Sequence, residues 1–154
     1  MTGFKISMVS GALILLSFGA NIHPALAEPQ IYTGRFSQVA VQGYDPVAYF
    51  IMGQPIKGDE AVETEWKGAT FRFASAENRD LFIADPDAYA PQYGGYCAWA
   101  IAQGKFAKGN AKHWRIVDGK LYLNYNKGIQ KKWEANISGF IEQSEMIWPT
   151  LNVE

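Results

Sequence analysis

Two dipeptides constrain this chain more than any other feature: Lys67-Gly68 and Asp118-Gly119. Each separates two short runs of alternating character, "VETEW" from "ATFRFA" and "WRIV" from "KLYLNY". Alternation with period two turns one face of a strand inward and the other to solvent. A two-residue link ending in glycine suits a type I′ turn, which needs positive φ at both positions. The sequence therefore predicts two β-hairpins.

The remaining segments read as short helices. Asp45-Pro46 is a cap followed by a first-turn proline, leading into "VAYF". Ser75 caps a helix through "AENRDLFIA", with Leu81 and Phe82 expected to point inward. Asp85-Pro86 ends that helix and starts another turn. "GGYCAWAIAQG" reads as a small helix starting at Tyr96, with glycine at each end. From Asn126 the chain is helical until Pro149, with Ile129, Trp133, Phe140, Ile141, Ile147 and Trp148 on the apolar face. "VAV" at 39–41 is expected as a brief strand. The predicted class is a small single α+β domain: two β-hairpins packed with several short helices and a C-terminal helical segment.

The first residues carry an address. Lys5 is the only Lys, Arg, Asp or Glu before Glu28, and an apolar stretch runs from Ile6 to Ala20. Ala25 and Ala27 then stand at the small-residue positions that a signal peptidase reads. Residues 1–27 are expected to be a signal peptide and 28–154 the domain. The location expected is periplasmic or secreted, with no membrane span after signal removal. Acids cluster over residues 59–87 and bases over 105–132, which reads as two solvated faces; the near-neutral total points to no nucleic-acid partner.

The chain holds one cysteine, Cys97, so it forms no internal disulfide. A lone thiol in an oxidising compartment must be buried, bound or used. Gly94 and Gly95 precede it and free the backbone to turn. If a helix starts at Tyr96, its first-turn amides lower the Cys97 pKa. His113 is the one histidine after the signal; it is a candidate second ligand or base, although in the polar run "KGNAKHW" it reads first as a surface residue. Asp45, Tyr44, Tyr93 and Tyr96 are supporting candidates, although Asp45 reads first as a cap and the tyrosines as core. Met52 and Met146 are thioethers available to Cu(I). The sequence has no serine elbow, phosphate loop, Cys-x-x-Cys pair or metalloprotease helix.

"YDPVAYF", "GATFRFASAENRDLFIADPDAY", "YGGYCAWA" and "WRIVDGKLYLNY" together resemble the exported bacterial YHS-domain proteins, over about Val39 to Leu151. That resemblance implies a small module related to metal-binding domains of the TRASH type, found beside copper and heavy-metal transport machinery. Its usual ligands are cysteines in a "DPVC" and an "F-C-S-x-x-C" segment. Here Ala48, Ala74 and Asn78 stand at those places. Alanine has no lone pair to offer and an amide is a poor ligand for a soft metal. Some members of the subfamily that this chain resembles carry selenocysteine where Cys97 stands, and the resemblance so implies a reactive role for this residue. The function so implied is a Cys-centred site that binds or handles a soft metal ion, copper foremost. Cys97 and His113 are then the candidate ligands, with a metal-transport or redox client as partner. The alternatives are a thiol redox protein using Cys97 as thiolate, with Cys97 catalytic in that sense, and a non-catalytic interaction domain.

Overall fold

A computed structural model describes residues 28–151; residues 1–27, expected to be a signal peptide, lie outside the described residues. Two antiparallel hairpins form two separate two-stranded sheets. In the first, β1 (Asp59–Trp66) pairs with β2 (Ala69–Phe73); in the second, β3 (Asn110–Val117) pairs with β4 (Lys120–Asn124). Both turns are the expected two-residue links. Lys67 and Gly68 have φ of 47° and 75°, Asp118 and Gly119 of 50° and 73°, the left-handed pair of a type I′ turn. Each first strand also carries a bulge, between Asp59 and Glu63 in β1 and between Asn110 and Trp114 in β3.

Among the described residues six α-helices surround the hairpins: α1 (Ala48–Ile51), α2 (Ala76–Ala84), α3 (Pro86–Tyr89), α4 (Ala98–Ala102), α5 (Lys127–Glu134) and α6 (Ile137–Ile147). The mixed α+β class expected from the sequence is the one observed. Side-chain caps set several helix starts. Ser75 accepts from the Asn78 amide, Asp85 from Ala88, Asn126 from Ile129 and Asn136 from Gly139, each satisfying an N–H with no intrahelical partner.

The core has two parts, and β4 joins them. Phe71, Phe73, Phe82, Val47, Tyr49, Leu121 and Leu123 form one cluster. Tyr93, Tyr96, Ala98, Ile101, Tyr122 and Trp133 form the other, with Phe140, Ile141 and Trp148 packed on it. Leu121 and Leu123 thus face one cluster while Tyr122 faces the other, as period two requires. A strand covered on both faces has no solvent side, so Leu121 to Asn124 are all buried.

Three local expectations need correction. Residues 39–41 are not a strand. Val39 makes a single bridge to Thr70, and the chain then enters a tight turn over Ala40–Gly43 with φ of 52° at Val41 and 50° at Gln42. The Gln42 side chain holds this turn against β3, donating to the Gly109 carbonyl (3.2 Å) and accepting from the Ala111 amide (2.7 Å). Such a conformation costs about 1–3 kcal/mol for a non-glycine residue, and these hydrogen bonds with the burial of Val41 offset it. Leu81 does not face inward with Phe82; it is 41% exposed, because a helix places adjacent residues about 100° apart and only one meets the first hairpin. The last helix does end ahead of Pro149, at Ile147, and the proline sits in a single 3-10 turn, Trp148–Thr150, where its missing N–H is tolerated. Finally, Tyr96 does not begin a helix. Tyr96 (ψ 160°) and Cys97 (ψ 115°) are extended, and α4 starts at Ala98.

Candidate functional site

The positions singled out by the sequence fall into two places. The first centres on Asp45, which is fully buried. Its Oδ1 accepts from the backbone amides of Val47 (2.8 Å) and Ala48 (3.2 Å). Its Oδ2 accepts from the Ala74 amide (2.8 Å) and from Asn78 Nδ2 (2.7 Å). Asp45 thus starts α1 and ties it to the end of β2 and to α2. The three residues at the places of the usual ligands, Ala48, Ala74 and Asn78, all converge on this one carboxylate. They meet it as N–H donors. These residues do not fit a metal ion: Asp45 spends its oxygens on four donors, and the other three present hydrogens.

The second place is Cys97. Its backbone is fixed on both sides: the amide donates to the Ala107 carbonyl (2.9 Å), and the carbonyl accepts from Ile101 (3.0 Å). Cys97 also bridges to Leu123 of β4. The preceding turn over Gln92–Gly95 is left-handed at Tyr93 (φ 54°) and Gly94 (φ 61°). Gly94 lies so close to the Gln30 carbonyl that a Cβ there would collide with it. Tyr93 and Tyr96 flank the turn as core residues with their hydroxyls reaching out, to Glu145 (3.4 Å) and to the Pro29 carbonyl (2.9 Å). Burial, more than the neighbouring Glu145 and Glu28, pushes both phenols well above the usual tyrosine range.

The Cys97 thiol is 1% exposed. It donates to Oδ1 of Asn124, 3.7 Å away, and the same oxygen accepts from the Trp99 amide (3.3 Å). Asn124 therefore caps α4 from the neighbouring strand. Burial raises the thiol pKa, while the amides of Ala100, Tyr125 and Trp99 act to lower it. Burial outweighs them, which reverses the low-pKa expectation. That expectation required the sulfur to lie in the first turn of a helix and to reach solvent. Cys97 instead precedes a five-residue helix and is covered.

Sequence reasoning missed Asn124. It is fully buried, and its Nδ2 has no partner. Its signal was an amide closing the apolar run "LYL" on a strand, where a buried polar group requires an explanation.

The other candidates are not gathered here. His113 is half-buried in the bulged part of β3. Met52 and Met146 are 55% and 63% exposed. Tyr44 lies under the Lys57 ammonium, 4.4 Å from the ring centre. Among the described residues, no group of three or more His, Cys, Asp or Glu side chains could hold a metal ion, and the polar groups nearest the sulfur are amide hydrogens and one hard amide oxygen. Cys97 with its surroundings therefore does not fit a resident copper ion either. Among the described residues no helix is long and apolar enough to cross a membrane.

No family model, curated protein or solved structure matches the chain.

Proposed function

We propose that this is an exported domain of the YHS type that works through one protected thiol, as a thiol redox protein with Cys97 as its reacting group. The observation that carries this reading is the polar setting of a buried cysteine. A cysteine used for packing behaves as a small hydrophobe and needs no polar neighbours. Cys97 has a fully buried asparagine beside it, with an N–H left unpaired, at a cost of about 1–3 kcal/mol. Burial holds the sulfur protonated in the closed state, and the backbone amides of Ala100, Tyr125 and Trp99 act the other way, towards the thiolate.

The reagent that suits such a site is small. A sulfur 1% exposed excludes bulky disulfides in the closed state and admits a reagent of hydrogen peroxide size when the α4 segment opens locally. The thiolate attacks one peroxide oxygen; an S–O bond forms, the O–O bond breaks and hydroxide leaves. Sulfur is oxidised by two electrons to a sulfenic acid and the peroxide is reduced. With no second cysteine in the chain, a client thiol that reaches the sulfur in the same opened state displaces the sulfenic oxygen as water and leaves a mixed disulfide, and a second client thiol attacks that disulfide at the client sulfur to release the Cys97 thiol. Repeated turnover thus requires a partner, and the protein alone delivers one oxidation event.

Intact mass after exposure to hydrogen peroxide, with a sulfenic acid trap present, tests the reading. One trapped adduct on the native protein, absent in Cys97→Ser, is the expected result. A native protein that stays unmodified while the denatured chain reacts overturns it. Stoichiometric Cu(I) held against a competing chelator and lost in Cys97→Ser would instead make Cys97 a metal ligand.

A further inference from the structure

Two buried polar atoms among the described residues have no partner, Trp133 Nε1 and Asn124 Nδ2, and the second belongs to the side chain that meets the Cys97 thiol. Its orientation is not free. The Trp99 amide is a donor and so fixes Oδ1 as the atom facing α4. The thiol then shares that oxygen as S–H donor, and Nδ2 is left without a partner. This arrangement suits the protonated cysteine alone. Once the proton leaves, Oδ1 faces an anion and Cys97 has no hydrogen to give.

Resting on the thiol reading above, we infer that Asn124 is a positioning residue that serves both protonation states of Cys97. It presents Oδ1 to the thiol and, by turning its amide end for end, presents Nδ2 to the thiolate. The turn is a rotation about the last side-chain bond, which has two broad wells. It releases the Trp99 N–H from Oδ1, and that amide is one of those close enough to favour the thiolate. The α4 start therefore passes from a cap by Asn124 to a cap by the sulfur, and the spare donor of Asn124 is used only in the reactive state. The resting protein keeps a quiet thiol, and the same side chain stabilises the nucleophile once formed.

The titratable and charged groups on the elements around Cys97 are Tyr93 and Tyr96 in the preceding turn, Lys108 opposite Tyr96, Lys120, Tyr122 and Tyr125 on and after β4, Lys127, Lys131, Lys132 and Glu134 on α5, with the Lys132 ammonium 5.7 Å from the Trp99 ring centre, and Glu142 and Glu145 on α6. The shift of the thiol has its causes in burial and backbone amides, with no charged side chain among them. A change at Asn124 is therefore read without interference from a neighbouring ion pair.

The test follows two signals against pH in the full domain: thiolate ultraviolet absorption, and the proton–nitrogen resonance of the Asn124 side-chain amide. The expected result is one shared inflection in wild type, with the amide resonance flat in Cys97→Ser. In Asn124→Leu the thiolate inflection should move up by about one pH unit or more, a tenfold loss in the ionisation constant. Should that variant fail to fold, the resonance of the wild type still decides. A thiolate inflection in wild type that the Asn124 amide ignores, or one that Asn124→Leu leaves in place, overturns the positioning role alone. If Cys97 does not ionise before the protein unfolds and takes no peroxide oxygen, the thiol reading falls and this inference with it.

Discussion

Asp45 Oδ2 and Asn78 Nδ2 stand 2.7 Å apart, joining the residue that starts α1 to the first turn of α2 across 33 positions of sequence. Such a bond to a charged acceptor is worth about 1.5–3 kcal/mol. Here it is one of four on a carboxylate with no exposure. Asp45→Ala should therefore destabilise the domain by about 3 kcal/mol or more, since it strands four donors at once. Asn78→Ala removes one of them and should cost about half as much. Urea unfolding of both variants measures the difference, and equal midpoints would show that the carboxylate does not organise the three elements.

Gly94 and Gly119 both have positive φ, 61° and 73°, but their surroundings differ. A Cβ on Gly119 meets nothing within 4 Å, whereas one on Gly94 runs into the Gln30 backbone. Gly119→Ala should therefore lose only the conformational preference, about 1 kcal/mol. Gly94→Ala adds a collision with backbone that cannot swing aside and should lower the melting temperature much further. Equal melting temperatures would mean that the Gln30 segment is not held against the turn, contrary to the bond from the Tyr32 amide to the Gly94 carbonyl (2.8 Å).

Alkaline pH should weaken the fold. The folded pKa of Cys97 is raised, chiefly by burial, and that of Tyr122 is pushed up to about 12 by burial with Glu145 and Asp118 adding to it. Tyr49, Tyr93 and Tyr96 are raised further still, burial again first. A group held protonated in the folded state contributes stability that is complete below its unfolded pKa and is lost as pH rises through the folded value. The decline should begin near pH 8.5–9, where an unfolded cysteine ionises, and steepen above about pH 10 as unfolded tyrosines follow. Denaturant midpoints across this range should fall, with a shallower first part in Cys97→Ser. A flat profile would mean that these groups titrate alike in the folded and unfolded chain, so that burial does not hold them protonated.

Local rules determined a good part of this protein from sequence alone. Lys67-Gly68 and Asp118-Gly119 fixed both turns, and Ser75, Asp85 and Asn126 fixed helix starts, because each depends on a few neighbouring residues and on backbone geometry. Cys97 was singled out because it is the one thiol. Its chemistry was misjudged because a thiol pKa depends on how much solvent the fold leaves around it. Tertiary structure decided that α4 starts after Cys97, that β4 is covered on both faces, and that Asn124 lies against the sulfur from a strand 27 positions away. It also turned Asp45 from a cap for one helix into the meeting point of Ala48, Ala74 and Asn78. No local pattern encodes these outcomes, since each arises where segments distant in sequence exclude water together and must pair the polar groups they bury.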